Sequence, residues 1–360
     1  MEQIIDAMGM LDLMVRPGFC VKQNEIVKVN QPAQCLQLTV GTDVRTLLHT
    51  GTEEYGEFRD GCLYLSLNIN SQICGASVTR MGDFDVFLLE QDADQAELQA
   101  MALAARELRE PLANVMTTAD RLFPLAAMAD DPDARDQVAR LNRGLFQILR
   151  VIGNMSDAGR YTAGVSRQET RDVTALLQEV FDSAGGLVDH TGIRLTFQNL
   201  DEAVFCLVDS EKLERAVLNI ISNAIKFTPA EGTIEAALIR RGRKLYLTVQ
   251  DSGDGVDEKI RSSIYSRYLR QPALEDGRFG IGLGMVLIRS AATHHGGTVL
   301  MDQPAGKGAR ITLTMAIRQN TDTVVRSPIL QVDYAGGRDH GLIELADCLP
   351  IQPYDAKRIN

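Results

Sequence analysis

Three clusters in the second half of the chain carry residue types that could hold a charged ligand. In "LERAVLNIISNAIKFTP", Asn219, Asn223 and Lys226 recur at i, i+4 and i+7, so a helix puts them on one side. Val217, Leu218, Ile221, Ala224 and Ile225 form the apolar side. Amide oxygens can ligate Mg²⁺ and an ammonium can meet phosphate oxygens; the same pattern also fits a plain solvated helix face. In "DSGDGVD", Asp251 ends the strand "KLYLTVQ", and Gly253 and Gly255 permit tight turns and close ligand approach. A buried carboxylate there could accept a hydrogen bond from an exocyclic amine, or the segment is an ordinary turn. In "GRFGIGLGMVLIRSAATHHGGTV", Gly280, Gly282 and Gly284 precede a helix whose first amides can face phosphates. The spacing is GxGxG, unlike the GxGxxG of dinucleotide folds, and no GxxxxGK[ST] loop occurs. "GKG" at 306–308 reads as a turn before the last strand.

These clusters need elements to position them. "IRLTFQN", "VFCLVD", "TIEAALI", "KLYLTVQD" and "ARITLTMAI" read as strands, with helices near 174–189, 210–226 and 284–294. Upstream, Leu98, Met101, Ala105, Leu108, Leu112, Val115, Ala119 and Leu122 recur at alternating spacings of three and four, a heptad seam. After the loop "MADDPDA" the spacing resumes with Val138, Leu141, Leu145, Ile148, Ile152 and Met155. An antiparallel helical hairpin follows, and two copies would bury the seam as a four-helix bundle, so a homodimer is expected. Pro111 lies within the first helix, yet the seam keeps its phase through it. The helix is therefore bent there rather than ended, with the Glu107 carbonyl crowded and a penalty of roughly 3 kcal/mol. Arg106 lies off the seam and faces solvent.

Residues 1–90 alternate as strands do. "FCVKQNEIVKVN" reads as a hairpin turning at Gln23 and Asn24. "CLYLSLNI" puts Leu63, Leu65, Leu67 and Ile69 on one face, and "ASVTRMGDFDVFLLE" makes two strands turning at Met81, Gly82 and Asp83. Residues 32–50 read as short helices. That order resembles a PAS-type sensor domain, and equally fits any small α+β domain. The expected layout is a sensor-like domain at 1–92, the hairpin at 93–160, a linker at 161–172, an α/β sandwich at 173–318 and a tail at 319–360. The fold class is thus α+β and multidomain. In the tail, "GLIELADCLP" can form one or two amphipathic turns, and the rest is either disordered or wraps the preceding domain.

Composition narrows the partners. The 360 residues carry a net charge of −11 and no Trp, which argues against nucleic acid as a partner. The six cysteines are scattered without a CxxC pair, so zinc and redox motifs are unsupported and reduced cytosolic thiols are expected. No apolar run approaches the roughly 18–20 residues of a membrane span, and the N-terminus does not read as a signal peptide. A cytoplasmic protein is the expectation.

Taken in order, the three clusters resemble the ATP-binding domain shared by sensor histidine kinases, gyrase-type ATPases and their relatives. The asparagine helix is similar to that family's N box, "DSGDG" to its G1 box and "GIGLG" to its G2 box. The resemblance implies ATP and Mg²⁺ as cofactors. It implies that Asn223 holds Mg²⁺, Lys226 contacts phosphate, Asp251 reads adenine, and Gly280, Gly282 and Gly284 shape a phosphate-covering lid. "IYSRYLR" at 264–270 is similar to the F box, with Tyr265 and Tyr268 in its aromatic places, and "HHGGTV" resembles the HGG that follows the second glycine box, which takes in His295. His49, His190, His294 and His340 read as structural or surface residues. Gyrase-type members carry a water-activating glutamate where this chain has Asn219, which favours phosphate transfer over hydrolysis.

"RELREPL" resembles the H box of sensor histidine kinases, usually HELRTPL. Glu107, Leu108, Arg109, Pro111 and Leu112 match. Arg106 takes the place of the phosphoacceptor histidine, and Glu110 that of a small polar residue. A guanidinium is cationic and delocalised, so Arg106 lacks the free lone pair that a phosphoacceptor needs. Glu107, the catalytic acid-base partner in the family, has no acceptor to serve. The resemblance implies a dimeric, ATP-binding, histidine-kinase-like signalling protein without self-phosphorylation at the usual site. It would act by shape change, or through a response regulator or a partner kinase. Two alternatives stand beside it: phosphorylation of a partner in trans, as anti-sigma kinases do, and a scaffold that binds no nucleotide.

Overall fold

The computed structural model describes residues 9, 11–12, 14–128, 132–162, 168–255, 282–304, 308–319 and 337–355. The first unit has strands β1 (Gly18–Lys22), β2 (Glu25–Val29), β3 (Cys62–Ile69), β4 (Gln72–Met81) and β5 (Phe84–Leu89). Between β2 and β3 lie helices α1 (Gln31–Gln34) and α2 (Thr52–Glu57). Gln23 and Asn24, both at positive φ (52° and 67°), make the expected two-residue turn between β1 and β2. Buried Asn30 accepts from the Ala33 N–H to cap α1, accepts from the Gly18 N–H and donates to the Arg16 carbonyl, which fixes the entry into β1.

Helices α3 (Asp92–Met128) and α4 (Pro132–Thr162) form the hairpin, and α3 continues through Pro111 as the seam requires. The seam itself divides. Leu98, Ala105, Leu112 and Ala119 are buried, joined by Met116 and Phe123, whereas Leu108, Val115 and Leu122 are about half exposed. From Leu108 onward every second seam position of α3 is exposed, whereas Met101 packs beside Leu98 and the start of α7.

The remaining elements are β6 (Glu169–Asp172), α5 (Val173–Val188), β7 (Arg194–Gln198), β8 (Phe205–Val208), α6 (Ser210–Phe227), β9 (Thr233–Arg241), β10 (Lys244–Asp251), α7 (Leu283–His294), β11 (Val299–Asp302), β12 (Arg310–Ala316) and α8 (His340–Glu344). Asp172 and Asp209 cap α5 and α6 through their side chains. Two strands were not expected. Residues 169–172, placed in the linker, pair antiparallel with β8, and the short β11 pairs with β12.

A single ten-stranded sheet runs in the order β2-β1-β5-β4-β3-β11-β12-β10-β9-β7, so the boundaries drawn at 92 and 172 do not separate two sheets. The join is antiparallel, with Tyr64 opposite Val299 and Cys62 opposite Met301. It explains why β3 is buried on both faces. Leu63, Leu65 and Leu67 pack into the first unit's core, while Cys62 and Tyr64 pack into the core beneath α5, α6 and α7. Ion pairs Lys244–Glu54 (2.9 Å) and Arg289–Glu90 (2.7 Å) brace the same junction.

On β10 alternate residues Leu245, Leu247, Val249 and Asp251 turn toward the helices. Tyr246, Thr248 and Gln250 face the other way, into a cleft of about 850 Å³ bordered by α2 and none of the expected site residues. Among the described residues no helix is long and apolar enough to cross a membrane.

Candidate functional site

The three clusters converge on the C-terminal half of α6. At its centre Asn219 approaches the start of α7, where a Cβ added to Gly284 would sit 2.9 Å from the Asn219 Oδ1. One turn on, the Asn223 Nδ2 lies 3.8 Å from the Met285 Sδ. At the helix end, a side chain at Gly253 would run into the Phe227 carbonyl oxygen. The loop after β10 and the start of α7 therefore flank the same stretch of α6. Gly282, at φ 84°, opens α7 without a side-chain cap, so the helix's first amides depend on other partners. Gly280, Tyr265 and Tyr268 lie outside the described residues.

Asp251 is 8% exposed. Its Oδ1 accepts from the Gly253 N–H (2.9 Å) and the Ala309 N–H (3.2 Å). Burial raises its carboxyl above the usual range, and the two backbone donors oppose that rise. Gly308, at φ 94°, is pressed against the Asp251 carbonyl oxygen, and any side chain there would collide with it. Gly308 and Ala309 thus lie against Asp251, the first at its backbone carbonyl and the second at its carboxylate; Gly306 and Lys307 lie outside the described residues. Gly255 turns at φ 82° beside Gln303.

The polar side of α6 is not solvated. Asn219 is 1% exposed; its Oδ1 accepts from Arg150 (3.3 Å), and its Nδ2 donates to the Arg215 carbonyl (2.8 Å) and to Glu344 (3.2 Å). Arg215, 1% exposed, pairs with Glu344 (2.9 Å) and Asp157 and donates to Asn154 (2.8 Å). Arg150 reaches Ser222 (3.1 Å) and Asp347 (2.5 Å). Lys226, only 13% exposed at its side chain, meets Asp347 at 3.3 Å. Thus the plain reading of a solvated face fails, and so does the grouping of Asn219 with Asn223 and Lys226 as equally available. The hairpin and the tail occupy Asn219, whereas the Asn223 Oδ1 accepts no hydrogen bond among the described residues. Arg150, Arg215, Glu344 and Asp347 were missed. Arg215 could have been found, because it stands one helical turn before Asn219 and so shares its side of the helix.

His295, 2% exposed, accepts at Nε2 from the Asp209 N–H (3.0 Å) and donates from Nδ1 to the Ala291 carbonyl (2.7 Å). Burial holds its imidazole down at about 4, so it is neutral and ties the end of α7 to the cap of α6. His340 bonds Glu214 at 2.9 Å. In the hairpin Arg106, Glu107 and Glu110 are exposed, and Arg109 donates to Ser156 (3.2 Å).

Residues 208–319, which hold α6, the Asp251 loop and α7, match the family described as histidine kinase-, DNA gyrase B- and HSP90-like ATPase. The chain carries a histidine kinase-type ATP-binding domain. It is 25% identical over 262 residues to the adaptive-response sensory kinase SasA of Gloeothece citriformis, covering 69% of this chain and 66% of that protein. It is 28% identical over 257 residues to the sensor protein kinase PmrB of Pseudomonas aeruginosa, covering 68% and 50%. It is 26% identical over 243 residues to the hybrid signal transduction histidine kinase D of Dictyostelium discoideum, covering 64% of this chain and 15% of that one. The matched part is thus a fraction of each relative's length. Among solved structures, full-length ShkA in complex with AMPPNP is 22% identical, with a TM-score of 0.49 over 61% of this chain and 46% of that one.

Proposed function

We propose that this chain is an ATP-binding, histidine-kinase-like signalling protein that does not phosphorylate itself at the usual position. The observation that carries the proposal is a pairing of sites. Asn223 and Lys226 stand on one stretch of α6 flanked by the loop that follows buried Asp251 and by the start of α7, while the hairpin presents an exposed guanidinium at Arg106. The donor set fits a magnesium-bound nucleotide. The Asn223 amide oxygen, which accepts no hydrogen bond among the described residues, is a hard ligand of the kind Mg²⁺ takes beside water and phosphate. Lys226 would meet phosphate oxygens, and Asp251 would accept from the adenine amine. Bound Mg²⁺ would neutralise phosphate charge. Asn219 stands where a hydrolytic relative would need a carboxylate base, and an amide cannot take a proton from water.

Two further parts of the proposal have structural support. The first unit's order of strands and helices, with sheet order β2-β1-β5-β4-β3, supports reading it as a PAS-like sensor. Leu108, Val115 and Leu122 on α3, with Leu141 and Ile148 on α4, leave apolar positions exposed at heptad spacing, which supports a homodimer closing a four-helix bundle. Output would then pass to a response regulator or a partner kinase by change of shape.

Incubation with γ-phosphate-labelled ATP tests the reading. Wild type is expected to stay unlabelled, while Arg106→His regains an acid-labile label. Acid-labile label on the wild-type chain refutes it.

A further inference from the structure

The tail segment 337–355 packs on α6 and α4 through two different surfaces. One is apolar. Leu342, Ile343, Leu345, Leu349 and Tyr354 are buried in the core under the helices. Tyr354 stacks edge-on against Phe146, and its carbonyl accepts from Asn142 (3.1 Å). Burying five such side chains contributes on the order of 1.5–3 kcal/mol each, so this anchor does not come off readily. The other surface is acidic. Between the anchor points, the Asp347 Oδ2 lies 2.5 Å from Arg150 and 3.3 Å from Lys226.

We propose that Asp347 is an intrachain stand-in for a nucleotide phosphate, holding Lys226 until a phosphate displaces it. The proposal rests on the nucleotide reading above. Lys226 is the phosphate-contacting cation of that reading, and its ammonium is already paired and largely covered. A carboxylate and a phosphate at one ammonium repel each other, so they compete rather than cooperate. Asp347 is the movable member of the pair. Its side chain is 32% exposed, whereas Glu344, one turn earlier, is fully buried against Arg215 and Arg150. Withdrawal of Asp347 from Lys226 leaves it beside Arg150, so the anchor need not open. The device tunes affinity by phosphate number: adenosine gains nothing from removal of the carboxylate, while a triphosphate gains most.

The test compares wild type with the near-isosteric Asp347→Asn, and with Asp347→Ser as a second variant, by calorimetric titration of Mg·ATP, Mg·ADP and adenosine. Far-UV circular dichroism checks the fold of each. The partly exposed pair predicts about two- to fivefold tighter ATP binding in both variants, a smaller gain for ADP and none for adenosine. Unchanged or weaker ATP binding by folded variants overturns the proposal, and so does an equal gain for adenosine. If no protein binds any of the three ligands, the nucleotide reading itself fails, an outcome distinct from equal binding by all.

Discussion

Arg215 offers the sharpest test of how the hairpin, α6 and the tail are held together. Its guanidinium is almost wholly buried, 2.9 Å from Glu344, paired with Asp157 and 2.8 Å from Asn154. In Arg215→Met the aliphatic volume is largely kept, but two buried carboxylates lose their main cation. Breaking a buried pair by removing one partner costs about 3–5 kcal/mol. Glu344 would keep Arg150 at 3.6 Å and the Asn219 amide at 3.2 Å, which places the loss near the lower end, about 3 kcal/mol. Glu344→Gln alone leaves Arg215 with Asp157 and Asn154, and should cost about 1–3 kcal/mol. The double variant removes both charges at once, so its loss should fall short of the sum by about 1–2 kcal/mol. Urea unfolding followed by far-UV circular dichroism measures all three. A loss below about 0.5 kcal/mol for Arg215→Met, or additivity within about 0.5 kcal/mol, would refute the view that this cluster fastens the three elements.

Protonation of His295 should weaken the fold. Its imidazole is held near 4 when folded and titrates near 6.5 when unfolded, so its contribution is complete above 6.5 and is lost as pH falls toward 4. Wild type should lose up to about 3 kcal/mol across that window relative to His295→Asn; parallel pH profiles from chemical unfolding would count against it. The dimer proposal predicts that Val115→Glu, on the exposed heptad stripe, shifts a dimer to monomer in sedimentation velocity without loss of helical signal; an unshifted dimer would place the interface elsewhere.

Most of the local structure could be read from the sequence where one physical signal dominates. The alternation in "KLYLTVQD" gave β10 and put Asp251 on its buried side. The unbroken heptad phase carried α3 through Pro111. What could not be read depended on partners distant in sequence. The charged tetrapeptide "ETRD" has no apolar alternation, yet becomes a strand because β8 is available to pair with it. The β3–β11 join relies on three residue pairs more than 230 positions apart, and no local pattern announces it. Asn219 looked equivalent to Asn223 because both share a helix side; Arg150 and Glu344, contributed by α4 and α8, make them different. The carboxylate of Asp347 sits in a polar tail whose periodicity is too short to predict docking.

The most direct measurement is calorimetric titration of the full chain with Mg·ATP, beside Asn223→Ala and Asp251→Ala variants shown to be folded. The account predicts saturable binding by wild type, with affinity about tenfold or more weaker in each variant, since each loses a charged or metal-directed contact of at least ~1.4 kcal/mol. Absence of binding by the wild-type chain, or equal binding by all three proteins, would contradict it.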